Sequence, residues 1–438
     1  RIIHDLKSER CAMSAIPQKA TGEIHIRGGV RLQGKVKIQG SKNAALPILA
    51  ATILAEGESC LKDCPKISDV YRMLRLLQSL GGHVRWEGEG VCVSTGSITT
   101  QDMPADAITG MRSSLCLLGA LLARCGSIVM EYPGGCVIGK RPIDLHLQAL
   151  EQMGVCFHEE GGRICGRAPK GLCGAEISLP LPSVGATENI LLAAVTARGC
   201  TRIEGAAREP EVEALCRYLN ACGARIDGIG TSRLEIRGVR RIHGATYRIP
   251  ADRIVAGTYL YAALGTRGCI LLEQAPCQHM RAVIQMAERM GAICQVTGEG
   301  LYVQSLGEVV SSGLIRTGVY PGFPTDMQSI ALAVSAMALG ETRIEERIFE
   351  DRFRVAEPLR QMGADIRQID PGSLWVKGGS RLHGERVKAC ELRGGAALVV
   401  AGLMAEGETV ITGCEYIERG YENICKDLRE LGARINSV

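Results

Sequence analysis

The chain has 438 residues and a formal net charge of +4, with 46% hydrophobic, 22% charged and 4% aromatic residues. This is the composition of a globular protein, and the length predicts two or three domains or one architecture built by repetition. The small net charge and the few aromatic side chains argue against a nucleic-acid-binding surface, so any anion site must be local.

The nineteen cysteines include no C-x-x-C pair, and their number is odd. This spacing indicates reduced thiols, and without paired cysteines or an H-E-x-x-H motif we expect no metal site. The longest apolar stretches are about ten residues, whereas a membrane span needs ~20. Residues 1–20 form an N-terminal extension without the apolar core of a secretory signal. We therefore expect a cytoplasmic protein that binds neither membrane nor nucleic acid.

The first segment with strand character is Ile24–Gly40. Its alternating residues predict a β-hairpin. If this hairpin completes the second of two lobes, the chain crosses between the lobes twice, near Ser41 and near Pro250.

The rest of the chain is a sixfold repeat with a period of 67–73 residues. In each unit a segment of small apolar residues ends in glycine before a strand-like run. These glycines are Gly57, Gly126, Gly199, Gly268, Gly340 and Gly407. A second glycine ends an amphipathic helix in each unit, and these are Gly81, Gly154, Gly223, Gly291, Gly363 and Gly432. Two independent landmarks with one period establish the repeat.

Each unit begins with a helix that is apolar on every side, which is typical of a buried helix. A short strand, an amphipathic helix with a left-handed glycine cap, and one or two strands follow. We predict an α/β protein with sheets wrapped around buried helices, a two-lobed inside-out α/β barrel with three units per lobe. One lobe spans residues 42–249, the other combines residues 21–41 with 250–438, and a cleft lies between them.

The second unit carries about four extra residues, within Tyr132–Leu147. Insertions on a repeat scaffold usually form working loops. This one places Cys136 near Lys140 and Arg141, whose charges favour the reactive thiolate, so we interpret Cys136 as functional rather than incidental. The segment Gly134–Lys140 also satisfies most of G-x-x-x-x-G-K, but an arginine follows where Ser or Thr must bind Mg²⁺. A nucleoside triphosphatase is the second interpretation.

Charged residues lie at the ends of several apolar helices. Lys42 and Asn43 open the first helix, where the N-terminus and a lysine both attract an anion. The alternative is a helix capped by Ser41 with an exposed lysine. Asp326 precedes the fifth apolar helix, as a cap or as a base. The isolated arginines at comparable positions are Arg112, Arg393 and Arg419. Either they are solvated or they line one cleft, and the pattern favours an enzyme for a phosphorylated substrate.

Six motifs, in order and from about Gly28 to the end, carry a family resemblance. They are GSKNAALPILAATILAEGE, GGCVIGKRPIDLHLQALEQMG, SVGATENI, AAREPE, FPTDMQ and IERGYENI. Together they resemble the UDP-N-acetylglucosamine 1-carboxyvinyltransferases, a family of enolpyruvyl transferases. The related 5-enolpyruvylshikimate-3-phosphate synthases share the sixfold inside-out fold but lack the cysteine loop and the SKNAALP string.

The resemblance implies that phosphoenolpyruvate and UDP-N-acetylglucosamine bind between two lobes, which close on them without a cofactor. The 3′-hydroxyl of the sugar adds to C2 of the enolpyruvyl group while C3 is protonated. Phosphate then leaves from a tetrahedral intermediate. This reaction commits the sugar nucleotide to peptidoglycan, and fosfomycin mimics phosphoenolpyruvate in this family.

The resemblance also implies roles for individual residues. Lys42, Arg141 and Arg419 hold the phosphate of phosphoenolpyruvate, and Arg393 holds the carboxylate of the intermediate. Cys136 protonates C3 or forms a phospholactoyl adduct, Asp326 takes the proton of the attacking hydroxyl, and Lys42 and Asn43 lie at the reacting centre. The residues implied for UDP-N-acetylglucosamine are Asn43, Arg112, Arg141, Pro142, Asp144, Ser183, Val184, Gly185, Asp326 and Met327.

Two positions depart from the family pattern. Some members have a lysine at the position of Leu181, and this departure affects one diphosphate contact. Some have an acidic residue at the position of Val255, and this departure affects one contact between the lobes. A third interpretation is a sugar-nucleotide sensor or an inactive paralogue. Loss of Cys136 or Asp326 would favour it, and both are present. The sequence leaves the oligomeric state open.

Overall fold

A computed structural model describes residues 22–98, 112–132 and 143–438. These ranges form a mixed α/β protein, as predicted. The helices are α1 (Lys42–Ala51), α2 (Ser68–Ser79), α3 (Leu117–Cys125), α4 (Asp144–Gln152), α5 (Val184–Ala194), α6 (Pro210–Ala221), α7 (Arg253–Gly265), α8 (Arg281–Arg289), α9 (Gln328–Ser335), α10 (Ala356–Gln361), α11 (Leu392–Met404), α12 (Cys414–Ile417) and α13 (Ile424–Glu430). None of the helices in the described ranges is both long enough and apolar enough to span a bilayer.

The strands are short and follow the helices in a regular order. They are β1 (Ile24–Arg27), β2 (Gln33–Lys37), β3 (Ala55–Glu56), β4 (Glu58–Lys62), β5 (His83–Glu87), β6 (Gly90–Ser94), β7 (Ser127–Glu131), β8 (Cys156–Glu160), β9 (Arg163–Arg167), β10 (Glu176–Ser178), β11 (Cys200–Glu204), β12 (Arg225–Asp227), β13 (Arg233–Arg237), β14 (Ile242–His243), β15 (Thr246–Arg248), β16 (Cys269–Glu273), β17 (Ile293–Val296), β18 (Gly300–Gln304), β19 (Leu314–Arg316), β20 (Glu341–Glu345), β21 (Asp365–Asp370), β22 (Ser373–Lys377), β23 (Arg386–Lys388), β24 (Glu408–Thr412) and β25 (Arg434–Ser437).

Five sheets share one topology, in which the strand after the first helix of a unit lies between a parallel edge strand and an antiparallel pair. Their strand orders are β15-β4-β6-β5, β10-β11-β13-β12, β17-β18-β16-β2, β19-β20-β22-β21 and β23-β24-β1-β25. The second unit contributes β7-β9-β8, with three strands in the described ranges, and β3 pairs with β14. The same arrangement therefore recurs along the chain.

The predicted hairpin at Ile24–Gly40 is wrong. β1 lies between β24 and β25, whereas β2 pairs in parallel with β16, so the two strands belong to different sheets. Insertion between two strands satisfies the backbone of β1 on both sides, which a local hairpin would not do. A glycine is required directly after β1, because a Cβ atom at Gly28 would lie 2.1 Å from the carbonyl oxygen of Ala405.

The helices that begin the units are buried, as their composition predicts. Every residue of α11 is buried, and every residue of α7 after the first. Their side chains contribute to two hydrophobic clusters. The first cluster contains residues between 44 and 249, and the second contains residues between 24 and 38 together with residues between 254 and 435.

The glycines that end the amphipathic helices adopt φ angles between 88° and 104°, which confirms the predicted left-handed caps. The other landmark has one exception. At the fourth unit Arg267 takes the left-handed conformation, with φ 54°, and Gly268 does not. Gly268 is instead required by a close approach, since a Cβ atom there would lie 2.5 Å from the carbonyl oxygen of Leu32.

The two segments that link the clusters run side by side. The amide of Ser41 donates to the carbonyl oxygen of Pro250 at 2.7 Å, and the amide of Asp252 donates to that of Gln39 at 2.9 Å. An isolated antiparallel bridge joins Gly40 to residue 251 between these bonds. Both links therefore pass through one place.

Cys60 and Cys92 form a disulfide, so the expectation of reduced thiols is wrong for this pair. They are 32 residues apart in sequence but opposite each other on β4 and β6. A rule based on sequence spacing does not detect partners that strand pairing brings together. The other fifteen cysteines of the described ranges are free.

Candidate functional site

The first turn of α1 is held by two polar side chains. Ser41 caps the helix by accepting a hydrogen bond from the amide of Ala44 at 3.3 Å, as the alternative interpretation expects. Asp252 accepts a hydrogen bond from the amide of Lys42 at 3.1 Å and also caps α7. One carboxylate thus joins the N-termini of α1 and α7. The Lys42 side chain is only 14% exposed, unlike the exposed lysine of the alternative interpretation.

A buried carboxylate at the start of α2 pairs with two cations. The ammonium of Lys42 lies 3.2 Å from Asp69 Oδ2, and Arg419 Nε and Nη2 lie 2.9 and 3.3 Å from the same carboxylate. Burial opposes the charge of Asp69, but these cations outweigh it and lower the pKa of the carboxyl. Lys42 lies just before the residues of the first cluster, and Arg419 lies within the residue range of the second. Asp69 therefore joins groups from both parts of the chain.

Asp326 is held by an arginine at each oxygen. It lies in a 3₁₀ helix before α9, with Oδ2 2.8 Å from Arg393 Nη2 and Oδ1 2.5 Å from Arg352 Nη2. Burial raises the pKa of Asp326, but the charges of Arg393 and Arg352 outweigh this and hold the pKa well below its ordinary value. Arg393 is 3% exposed, and its Nη1 is buried without a hydrogen-bond partner.

These two ion-pair groups lie close enough to affect each other. Burial lowers the pKa of Lys42, Asp69 raises it, and the positive charges of Arg393 and Arg419 lower it further. Asp326 acts on Lys42 in the opposite direction. The structure therefore brings together four of the predicted site residues in one electrostatic cluster. Asn43 is partly buried beside Lys42.

Met327 follows Asp326 but points elsewhere. Its side chain is fully buried in the second cluster, against Gly257, where a Cβ atom would lie 2.8 Å from the sulfur. Contact with a ligand would therefore have to come from its backbone.

A second group of predicted residues lies on α4 and α5. Ser183 caps α5 by accepting from the amide of Ala186 at 3.3 Å, and Val184 and Gly185 form the first turn. Asp144 is exposed at the start of α4. The buried side chain of His146 links the two helices: it lies over Gly185 and within 2.9 Å of Asn189.

Several predicted residues lie outside the described ranges. Cys136, Arg141 and Pro142 are among them, as are Lys140 and the rest of the G-x-x-x-x-G-K pattern. Arg112 begins the 3₁₀ helix Arg112–Cys116, and its side chain is outside the described part of the structure.

Sequence reasoning missed Asp69, Asp252 and Arg352. An aspartate in the first turn of a helix is common, and an arginine in a charged stretch such as EDRFR has no distinguishing neighbour. It also missed the pair between Glu211 and Arg253, whose closest atoms are 2.9 Å apart and whose side chains are 7% and 11% exposed. Only the position of Glu211 in the AAREPE motif offered a signal.

Two solved structures share this fold over nearly the whole chain. The enolpyruvyl transferase NikO from Streptomyces tendae superposes with a TM-score of 0.85 at 24% identity, covering 95% of this chain and 99% of the other. EPSP synthase from Acinetobacter baumannii superposes with a TM-score of 0.73 at 19% identity, covering 95% and 100%.

The family model described as EPSP synthase (3-phosphoshikimate 1-carboxyvinyltransferase) matches residues 26–428, and the chain belongs to this family. Two curated relatives are more similar in sequence. UDP-N-acetylglucosamine 1-carboxyvinyltransferase 2 of Caldanaerobacter subterraneus subsp. tengcongensis is 44% identical over 94% of this chain and 99% of its own. UDP-N-acetylglucosamine 1-carboxyvinyltransferase of Nitratidesulfovibrio vulgaris is 46% identical over 94% and 98%.

Proposed function

We propose that the protein is a transferase that moves the enolpyruvyl group of phosphoenolpyruvate to the 3′-hydroxyl of UDP-N-acetylglucosamine and releases phosphate. This is the first committed step of peptidoglycan synthesis, and its charged substrates are consistent with a cytoplasmic location. The observation that carries the proposal is the convergence of Lys42 and Arg419 on one buried carboxylate, next to the Asp326–Arg393 pair. The names of the relatives support the choice of substrates.

We further propose that the chain forms a two-lobed inside-out α/β barrel. One lobe would comprise residues 42–249 and the other residues 22–41 with 250–438. The two hydrophobic clusters, the buried first helices and the recurring sheet topology support this division. Substrates would bind in the cleft where both links cross.

The phosphate of phosphoenolpyruvate would bind to Lys42, Arg419 and Arg141. A phosphate dianion in a partly buried site requires several cations and charge-assisted hydrogen bonds. Asp69 holds two of these cations in place before the substrate arrives, at the desolvation cost of one buried carboxylate. We therefore interpret Asp69 as a positioning residue.

Asp326 would accept the proton of the attacking hydroxyl, and Cys136 would protonate C3 from the other side. With both oxygens held by arginines, Asp326 is ionised but weakly basic. Once Arg393 turns its guanidinium to the substrate carboxylate, Asp326 loses one cation and becomes a stronger base. The unpartnered Nη1 of Arg393 supports this carboxylate role.

The diphosphate of UDP-N-acetylglucosamine would bind at the N-terminus of α5. The first amides of a helix have no intrahelical acceptor, and Ser183, Val184 and Gly185 lie there. Asp144 opens the neighbouring helix. Leu181 is 54% exposed at the position where some family members have a lysine, so this chain would use one cation fewer. The other residues that we assign to this substrate are Asn43, Arg112, Arg141, Pro142, Asp326 and Met327.

One assay tests the reaction. Phosphate release should require both phosphoenolpyruvate and UDP-N-acetylglucosamine, without nucleoside triphosphate, and should give a product heavier by an enolpyruvyl group. Hydrolysis of ATP without this turnover would favour the triphosphatase interpretation. Binding of UDP-N-acetylglucosamine without turnover would favour a sensor.

A second experiment tests the loop thiol. Fosfomycin should label Cys136 covalently, and Cys136→Ser should abolish the label and impair product formation, because a hydroxyl is a far weaker acid than a thiol. Cys136→Asp retains an acid and should retain more activity without the label. A label mapped by mass spectrometry to any other cysteine would contradict the role of Cys136.

A further inference from the structure

The disulfide between Cys60 and Cys92 lies on the outer face of the first unit's sheet. The two residues are direct cross-strand partners on β4 and β6. Their neighbours Leu61, Val91 and Val93 are buried on the opposite face, in the first cluster. Cys60 is partly exposed and Cys92 is 3% exposed. Solvent therefore reaches the bond from the side of Cys60.

Each sulfur also has a carboxylate beside it. Cys60 Sγ lies 3.7 Å from Glu58 Oε2, and Cys92 Sγ lies 3.5 Å from Glu87 Oε2. Arg85 pairs with both carboxylates and fixes them on this face. If the bond were reduced, each thiol could donate to an acceptor that is already in place. In the reduced state, both thiols therefore have a hydrogen-bond acceptor.

The pairing of the strands does not depend on the bond. Four residue pairs join β4 to β6, and β6 pairs along its whole length with β5. Opening the disulfide would leave this ladder intact, so the two sulfurs stay adjacent and the bond can form again. Neighbouring sulfurs held by a ladder react with each other much faster than two separate thiols do.

We propose that Cys60 and Cys92 are a reversible thiol–disulfide site that reacts with small disulfides and thiols while the protein stays folded. The thiolate of Cys60 attacks the small disulfide, forms a mixed disulfide and releases one thiol. The thiolate of Cys92 then attacks the sulfur of Cys60 and releases the second thiol. The protein loses two hydrogen atoms, and the small disulfide gains them.

Differential alkylation of the native full-length chain tests this site. After treatment of the folded protein with dithiothreitol, circular dichroism should stay unchanged, and iodoacetamide added together with denaturant should then modify both Cys60 and Cys92. After oxidised glutathione, peptide mass spectrometry should find the two residues cross-linked and two hydrogens lighter. The oxidised form should melt at the higher temperature, because the cross-link restricts the unfolded chain.

Single variants separate the two roles. Cys92→Ser should trap Cys60 as a stable mixed disulfide with glutathione, whereas Cys60→Ser should leave the buried Cys92 largely unmodified. The exposed free cysteines Cys156 and Cys390 serve as controls, since each should form only a mixed disulfide. If a Ser variant fails to fold, the corresponding Ala variant serves instead.

Two results would overturn the proposal. Alkylation of both cysteines after oxidised glutathione would mean that the bond does not form in the folded protein. Reduction by dithiothreitol only in denaturant would mean a permanent cross-link. Neither result would bear on enolpyruvyl transfer, which is measured separately.

Discussion

Asp69 connects two cations that come from different parts of the chain. It is 1% exposed, and a carboxylate this deeply buried is stable only because Lys42 and Arg419 neutralise it. In return, its charge raises the pKa of Lys42 against the lowering effect of burial. The three residues are therefore coupled, and a change in one alters the pKa of another.

The substitution Asp69→Asn should move the pH profile of the reaction. Asp69 raises the pKa of Lys42, while burial, Arg393 and Arg419 lower it and Asp326 raises it slightly. Loss of the Asp69 charge should lower the pKa of Lys42, so the alkaline limb of kcat/KM for phosphoenolpyruvate should move to lower pH.

The matched control for this shift is Asp63→Asn. Asp63 also lies where the links cross, but it pairs with Lys37 and Arg248. Its substitution should leave the alkaline limb in place. Equal shifts in both variants would argue against a specific effect on Lys42.

Asp326→Asn should lower turnover by about 10²- to 10⁴-fold, the usual cost of losing a general base. Fosfomycin labelling of Cys136 should persist, because the cations and the thiol remain. Asp351→Asn, which removes an exposed carboxylate paired with Arg354, is the control. Turnover close to that of the unmodified protein would exclude Asp326 as the base.

Among the residues of the candidate site, the sequence predicted those that lie at the ends of recognisable elements. Lys42, Asp326 and Arg393 lie at the ends of apolar helices, and such ends can be located from hydrophobic patterning. Asp69 and Arg352 could not be found in this way, because their importance depends on partners that only the tertiary structure brings near.

Among the helices, α5 carries the most unusual acid. Glu188 is buried and 3.6 Å from the Cys116 thiol, and burial raises the pKa of Glu188 to about 8, with a further contribution from Glu211. Its ordinary value is 4.5, so the folded protein holds this proton between these pH values and the unfolded chain does not. The stability contributed by this proton is therefore present below the ordinary value and lost as pH rises towards 8.

Glu188→Gln should remove this dependence. Urea unfolding at about pH 5 and about pH 9 should show that the variant gains stability relative to the unmodified protein as the pH rises. The exposed residue Glu151, on α4, provides the control variant Glu151→Gln. A constant difference between variant and parent would contradict a protonated Glu188.

The crossing of α3 and α5 depends on a residue without a side chain. A Cβ atom at Gly119 would lie 2.2 Å from the carbonyl oxygen of Asn189, whose side chain accepts a hydrogen bond from the Gly119 amide at 2.7 Å. Gly119→Ala should lower the free energy of unfolding by about 1–3 kcal/mol. Gly96→Ala, at a position with no neighbouring atom within 4 Å, should change it little.

Element types and their order could be predicted because each unit repeats the same pattern of apolar helix, strand and glycine cap. Pairing could not be predicted in the same way. Ile24–Gly40 contains two strands close in sequence, and proximity favours a hairpin. The open edges that they fill are formed by strands of the fourth and sixth units, and sequence patterning does not reveal such edges.

For the whole molecule, the proposed binding groups come from both clusters. UDP-N-acetylglucosamine should therefore draw the two proposed lobes together, and small-angle X-ray scattering should show a smaller radius of gyration at saturation. Adding fosfomycin should stabilise this compact form. In Lys42→Met, which lacks one of the cations between the lobes, the contraction should be smaller. An unchanged scattering curve in saturating ligand would count against closure.

The position of β1 between β24 and β25 has a consequence for synthesis on the ribosome. Residues 24–27 leave the ribosome early, but their partners at residues 408–411 and 434–437 emerge nearly four hundred residues later. At about 5–20 residues per second, this delay lasts roughly 20–80 s. Strands in the range 42–249 pair with one another and need no such wait. Residues 24–27 therefore stay without their strand partners until the last unit has been synthesised, whereas the strands of residues 42–249 can already pair.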